Sequence, residues 1–150
     1  WREVGSSFYP SELQAAFLLG QLESLEENLI LRKSLYNRYC ANLSHLESND
    51  KIRIVGDKKH TDHNAHMFAI QLNSGHESDR VRTSLNDAGI GVVIHYVPLH
   101  SSSMGKKLGY ADADLPVTME YSERLLRLPL HHNLSLDDVD FITSSLEKLL

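Results

Sequence analysis

One cysteine, one tryptophan and four prolines in 150 residues set several protein classes aside at once. Cys40 has no partner for an internal disulfide, which fits a reducing cytoplasm better than a disulfide-stapled secreted domain. The longest apolar run, Ala15 to Leu19, falls far short of the roughly 20 residues that a membrane-spanning helix needs. The opening Trp1-Arg2-Glu3 shows no charged-then-apolar leader pattern. Positive charge is also in deficit, with 15 Lys and Arg against 20 Asp and Glu and a formal net charge of −5. An obligate nucleic-acid partner is therefore not expected, because neutralising phosphates takes clustered cations. No Gly-x-Ser-x-Gly elbow, Gly-x-Gly-x-x-Gly turn or phosphate-binding Gly-x-x-x-x-Gly-Lys-Ser/Thr loop occurs. Repeats, low-complexity tracts and linkers are missing too.

What remains is an ordinary globular composition, 41% hydrophobic and 23% charged, of a length that suits one domain with one core. A chain that begins at Trp1 without a methionine is expected to be a piece of something longer. The stretch Ile90 to His100 organises the reading. Val92, Val93 and Ile94 are a short β-branched run that predicts a buried strand, followed by a polar cluster, His95, Tyr96 and His100, stiffened by Pro98. A stiff polar loop after an apolar strand can present groups to a ligand. It can equally be a surface loop whose histidines do nothing.

Elsewhere the pattern predicts an α/β domain with a small sheet covered by helices. Ser11 and Gln14 form a capping-box signature ahead of a helix that is apolar on nearly all sides, which belongs inside a core or between a core and a partner. Ser24 and Glu27 repeat the signature before a second helix with the stripe Leu25, Leu29, Tyr36, Tyr39, Leu43 and Leu46, interrupted by Arg32. Strands are expected at Lys51–Val55, Met67–Leu72 and Arg127–Leu130, and helices at Ser78–Ala88, Val117–Leu126 and from the Ser135 cap to Leu150. Gly89 closes the third helix, and a β-α-β segment results.

Nine histidines raise the question of metal. His60, His63 and His66 are three apart, but ahead of a strand such spacing splays side chains instead of converging them. Neither a cysteine nor a placed carboxylate completes a tetrahedral set, so no metal site is expected. The pair Lys106-Lys107 reads as a solvated turn.

Six segments in order carry a resemblance: Gly5-Ser-Ser-Phe-Tyr-Pro-Ser-Glu-Leu-Gln-Ala-Ala16, Gln21-Leu-Glu23, Asn64-Ala-His-Met-Phe68, Gly89-Ile90, His95-Tyr-Val-Pro-Leu-His100 and Glu123-Arg-Leu-Leu-Arg-Leu-Pro-Leu130. Together they resemble the C-terminal part of the DegT/DnrJ/EryC1/StrS sugar aminotransferases, over essentially the whole chain. The wording is most similar to members that make TDP-4-amino-4,6-dideoxygalactose for bacterial surface polysaccharide, including enterobacterial common antigen. The resemblance implies the small domain of the aspartate-aminotransferase fold (fold type I), with a small, mostly antiparallel sheet. It implies a cytoplasmic homodimer that uses pyridoxal phosphate to aminate a nucleotide-linked 4-keto-6-deoxyhexose, with glutamate as amino donor. The Schiff-base lysine then lies upstream, since none of the seven lysines here sits in a matching motif. No catalytic residue is expected in these 150 residues. The family pattern Gly-x-Asn-x-Arg-x-Ser-Glu falls on Gly5 to Glu12, with Ser7 at the Asn position that reaches the neighbouring subunit's cofactor phosphate and Tyr9 at the Arg position. His95 and Tyr96 match the family's pair beside the sugar, with His100 as a further substrate contact. Two other classes stay open: a stand-alone domain that binds a protein or nucleotide sugar without chemistry, and a histidine-rich metal module.

Overall fold

The computed structural model describes Gly5, residues 8–56 and residues 62–150. Helix α1 (Glu12–Glu23) starts on the expected capping box: the Gln14 N–H donates to Ser11 Oγ at 3.3 Å and the Ser11 N–H to Gln14 Oε1 at 2.8 Å. None of its residues is buried, so of the two places open to an apolar helix the core is ruled out. Helix α2 (Leu25–Ser48) follows after Ser24 alone. The second capping signature does not operate. Ser24 has a near-helical ψ of 4°, and its hydroxyl donates back to the Gly20 carbonyl instead of accepting from the new helix.

The buried stripe of α2 is Leu35, Tyr36, Tyr39, Leu43 and Leu46, while Leu25 at its start is exposed. Arg32 breaks the stripe for a reason the spacing could not show. Its guanidinium donates to the backbone carbonyls of Ala65 at 3.0 Å, of His66, and of Leu130 at 3.4 Å, tying two distant segments to the helix.

Strands β1 (Arg53–Val55), β2 (Phe68–Gln71), β3 (Val93–Ile94) and β4 (Leu125–Leu128) form one sheet in the order β1-β2-β4-β3, with every neighbouring pair antiparallel. Strands β2 and β3 therefore run parallel, joined through helix α3 (Gly75–Asp87), with β4 inserted between them. The β-α-β segment has the expected direction but not adjacency. Directly opposed residues share a face. Ile54, Ile70 and Leu126 line up on one side with Phe68 and Leu128, and pack against α2, α3 and the last helix, α6 (Leu136–Glu147). There Tyr39 stacks on Phe68 at 4.6 Å and donates its hydroxyl to the Pro129 carbonyl at 2.8 Å. Burial pushes the Tyr39 phenol pKa up.

Three expectations need correction. Strand β3 is an exposed edge of two residues; only Val92, just before it, is buried. The last strand lies at Leu125–Leu128, because Pro129 has no N–H to extend a ladder, and helix α5 (Pro116–Arg124) ends correspondingly early. Helix α3 starts at Gly75, where Ser74 Oγ accepts from the Glu77 N–H at 3.2 Å, three residues before the expected start.

Candidate functional site

The His95–His100 segment is held at both ends. Behind it, α3 closes on Gly89 at φ 81°, a left-handed value that favours glycine. Asn86 then stands in for a strand partner: its Nδ2 donates to the Val92 carbonyl at 3.0 Å and its Oδ1 accepts from the Val92 N–H at 2.9 Å. With Ile90 and Val92 buried, β3 leaves the core in a fixed direction. Ahead of it, Pro98 opens a short 3-10 turn, Leu99–Ser101, against helix α4 (Ser103–Lys107). A Cβ at Gly105 would come 2.3 Å from the Leu99 carbonyl oxygen and 2.5 Å from that of His100, so only glycine lets α4 approach. Sequence reasoning missed Gly105. Its signal was a lone glycine inside a short helical pattern.

The expected site residues divide into two groups. His95 meets Tyr96 edge to face, with ring centres 5.0 Å apart, and the Arg127 guanidinium lies 5.2 Å from the Tyr96 ring centre. Tyr96 is 68% exposed and its hydroxyl bonds to nothing among the described residues, so it is no core tyrosine. Its ring borders a hollow of about 460 Å³ shared with Gly75, Pro98, Met119 and Glu123. His100 turns elsewhere. It is 6% exposed and borders a separate, mostly apolar hollow of about 580 Å³ with Leu99, Met104, Leu108, Tyr110 and Leu115. His95 Nδ1 and His100 Nε2 are both buried without a hydrogen-bond partner. Ser7 lies outside the described residues, and Tyr9, at the family's Arg position, is exposed. Arg127 was not singled out as a site residue from the sequence.

The histidine run has separate local uses. The His63 ring packs on Tyr36 with centres 4.3 Å apart and its Nδ1 accepts from the Ala65 N–H, while His66 Nδ1 faces Asn64 Oδ1 at 3.0 Å. His60 lies outside the described residues. Among the described residues no group of three or more His, Cys, Asp or Glu is arranged around a metal position. Of the lysines, Lys33 pairs with Asp62 at 2.6 Å, Lys51 donates to the Leu150 carbonyl at 3.2 Å and Lys106 faces Asp112 at 3.4 Å. None of them borders the two hollows around His95–His100.

The four-stranded antiparallel sheet under helices matches a part of solved aminotransferase structures. The putative sugar aminotransferase Spr1654 from Streptococcus pneumoniae superposes with a TM-score of 0.80 at 27% identity, over 87% of this chain and 33% of that one. For DesV from S. venezuelae the TM-score is 0.82 at 23% identity, over 99% of this chain and 40% of that one, a likeness of fold alone. The chain belongs to the DegT/DnrJ/EryC1/StrS aminotransferase family, whose model matches residues 1–147. The family's enzymes are pyridoxal-phosphate-dependent aminotransferases. Curated relatives include the Bacillus subtilis spore coat polysaccharide biosynthesis protein SpsC, 30% identical over 144 residues, 93% of this chain and 36% of the relative. Another is the Campylobacter jejuni UDP-4-amino-4,6-dideoxy-N-acetyl-beta-L-altrosamine transaminase, 27% identical over 150 residues, 99% of this chain and 39% of the relative. The chain thus spans a little over a third of the length of these relatives.

Proposed function

We propose that these residues are the small C-terminal domain of a pyridoxal-phosphate-dependent aminotransferase that aminates a nucleotide-linked 4-keto-6-deoxyhexose, with glutamate as donor. The product assigned is TDP-4-amino-4,6-dideoxygalactose, a precursor of bacterial surface polysaccharide, and the enzyme is a cytoplasmic homodimer. Family membership supports the reaction class, and a nucleotide-sugar transaminase among the relatives supports the substrate class. The observation that carries the site is Tyr96, an exposed ring with a free hydroxyl, braced by His95 and Arg127 on a strand end that Asn86 fixes.

No described lysine borders either hollow around His95–His100. On this reading the Schiff-base lysine, the aromatic stacked on the cofactor ring and the carboxylate facing its pyridinium nitrogen belong to sequence preceding Trp1. Ser7 donates a hydrogen bond to the cofactor phosphate of the neighbouring subunit. His95 and Tyr96 position the sugar, and His100 makes a further substrate contact.

The test compares the full-length product of the gene with the isolated 150 residues. The first should convert TDP-4-keto-6-deoxyglucose and glutamate to the amino sugar, and the second should form no yellow, borohydride-reducible adduct with pyridoxal phosphate. Such an adduct on the 150 residues, or a full-length product without transaminase activity, overturns the proposal, the latter in favour of a non-catalytic binding domain.

A further inference from the structure

We infer that Arg127 is an oxyanion-binding residue of this site and takes the diphosphate of the nucleotide-linked substrate, a step that rests on the nucleotide-sugar reading above. Among the described arginines it is alone in having no polar partner. Arg32, Arg38, Arg53, Arg80, Arg82 and Arg124 each donate a hydrogen bond or join an ion pair. Arg127 does neither, and its Nε is buried with nothing to donate to. A guanidinium brought partly out of water without an acceptor is costly, whereas a bound anion would use that same fork of donors.

Its position on the sheet supports a ligand role. Arg127 is opposed by Ala69 on one side and Val93 on the other, so its side chain stands on the face away from α2, α3 and α6. It borders a hollow of about 170 Å³ with Met67, Gly91, Val93 and Pro129, and no carboxylate lines that hollow. Among the described residues no carboxylate forms an ion pair with Arg127, although Asp79 and Glu123 line the neighbouring hollow that Tyr96 borders. Above it sits the Tyr96 ring, 5.2 Å from the guanidinium carbon, which holds the fork in place by cation–π attraction. The Tyr96 phenol hydroxyl, without a partner among the described residues, offers a further donor on the same ring. A guanidinium fork with a phenol on the ring it overlies supplies more donors than one carboxylate can use, and suits the several oxygens of a diphosphate.

The experiment is isothermal titration of the full-length gene product with dTDP, with UDP and, separately, with L-glutamate, at two ionic strengths. Arg127→Gln should weaken nucleoside diphosphate binding roughly ten- to a hundredfold, as expected for loss of a charge-assisted bond. It should also flatten the dependence on salt and leave glutamate binding unchanged. Arg127→Lys, which keeps the charge but not the fork, should recover part of the loss, and it carries the test if Arg127→Gln does not fold. Unchanged diphosphate affinity in a folded Arg127→Gln protein overturns this inference alone. A fall confined to glutamate overturns the diphosphate assignment. A wild-type protein that binds neither dTDP nor UDP overturns the nucleotide-sugar reading together with this one.

Discussion

Arg32 Nε donates to the Ala65 carbonyl at 3.0 Å, joining residues 33 positions apart. Ala65 is almost fully buried and has φ 50°, a left-handed conformation that an alanine adopts only when its surroundings fix it. The same guanidinium reaches the carbonyls of His66 and Leu130, so one charged side chain fixes the approach to β2 and the exit from β4.

Removing it should therefore cost more than a surface arginine would. Arg32→Met keeps the length of the side chain but leaves part-buried carbonyls without a donor, and the expected loss is about 2–3 kcal/mol. Arg32→Lys should recover little, because one ammonium cannot serve three acceptors in a fixed fan. Urea denaturation of the three proteins at neutral pH measures this. Arg53→Met, at an exposed arginine of β1, is measured beside them as a surface reference, and a loss for Arg32→Met no larger than its own would show that the contacts to Ala65, His66 and Leu130 carry no stability.

The pair Arg38–Asp140 joins α2 to α6, with two guanidinium–carboxylate contacts of 2.7 and 2.6 Å. Hydrogen bonds from Arg38 and then Asn42 hold the Asp140 carboxyl down to about 2, below its ordinary 3.8. A carboxyl whose folded-state pKa is lowered stabilises the fold above its unfolded pKa, and that contribution disappears as pH falls through the folded one. Asp140→Asn should accordingly melt below the wild type at pH 7, and the gap should close between pH 3.8 and about 2. Melting curves across that range settle it, since a gap independent of pH would mean that packing, not charge, links the helices.

Local chemistry was legible in the sequence where it acts within one turn. Ser11 with Gln14 forms the box its spacing predicts and Ser135 caps α6 as expected, whereas the same spacing at Ser24 and Glu27 forms no side-chain cap. Of the last helix's expected stripe, Val139, Ile142, Leu146 and Leu149, the first three are buried on α6 and Leu149, beyond its end, is partly buried. What stayed hidden depends on residues far apart in the chain. Val93 and Ile94 have the β-branched look of an interior strand, yet β4 arrives between β2 and β3 and leaves them at the edge. Their local composition carries no record of that insertion. Arg32 and Arg127 were opaque for the same reason: the first finds acceptors in segments the helix period cannot see, and the second becomes notable only when every other described arginine is seen to have a partner.

Gly105 provides a direct test of how the His100 turn is built. Gly105→Ala places a methyl against two carbonyl oxygens of the turn, so backbone must move, at an expected cost of about 1–3 kcal/mol. The His100 ring should register the movement as shifted imidazole resonances, with His45 on α2 as an unshifted reference. Equal stability and unshifted His100 signals would mean that α4 and the turn are not in the contact described.

The last expectation concerns α1, where burial and composition disagree most. Leu13, Phe17, Leu18, Leu19 and Leu22 are all exposed, Phe17 by 73%, and the apolar surface continues through Phe8 and Tyr9. Fully burying one such side chain is worth roughly 1.5–3 kcal/mol, so a contiguous set left in water strongly favours association. On the function proposed above, this helix is a natural part of what the cofactor domain and the second subunit would cover. The 150-residue chain alone should then self-associate through α1, and Phe17→Glu or Leu18→Glu should weaken that association about tenfold or more, from the loss of one anchor of this size. Because neither side chain belongs to the buried core, both variants should melt near the wild-type temperature. Sedimentation velocity over a hundredfold range of concentration separates the cases. A wild-type chain that stays monomeric throughout, or a dimer that both glutamates leave intact, would remove α1 as an interface.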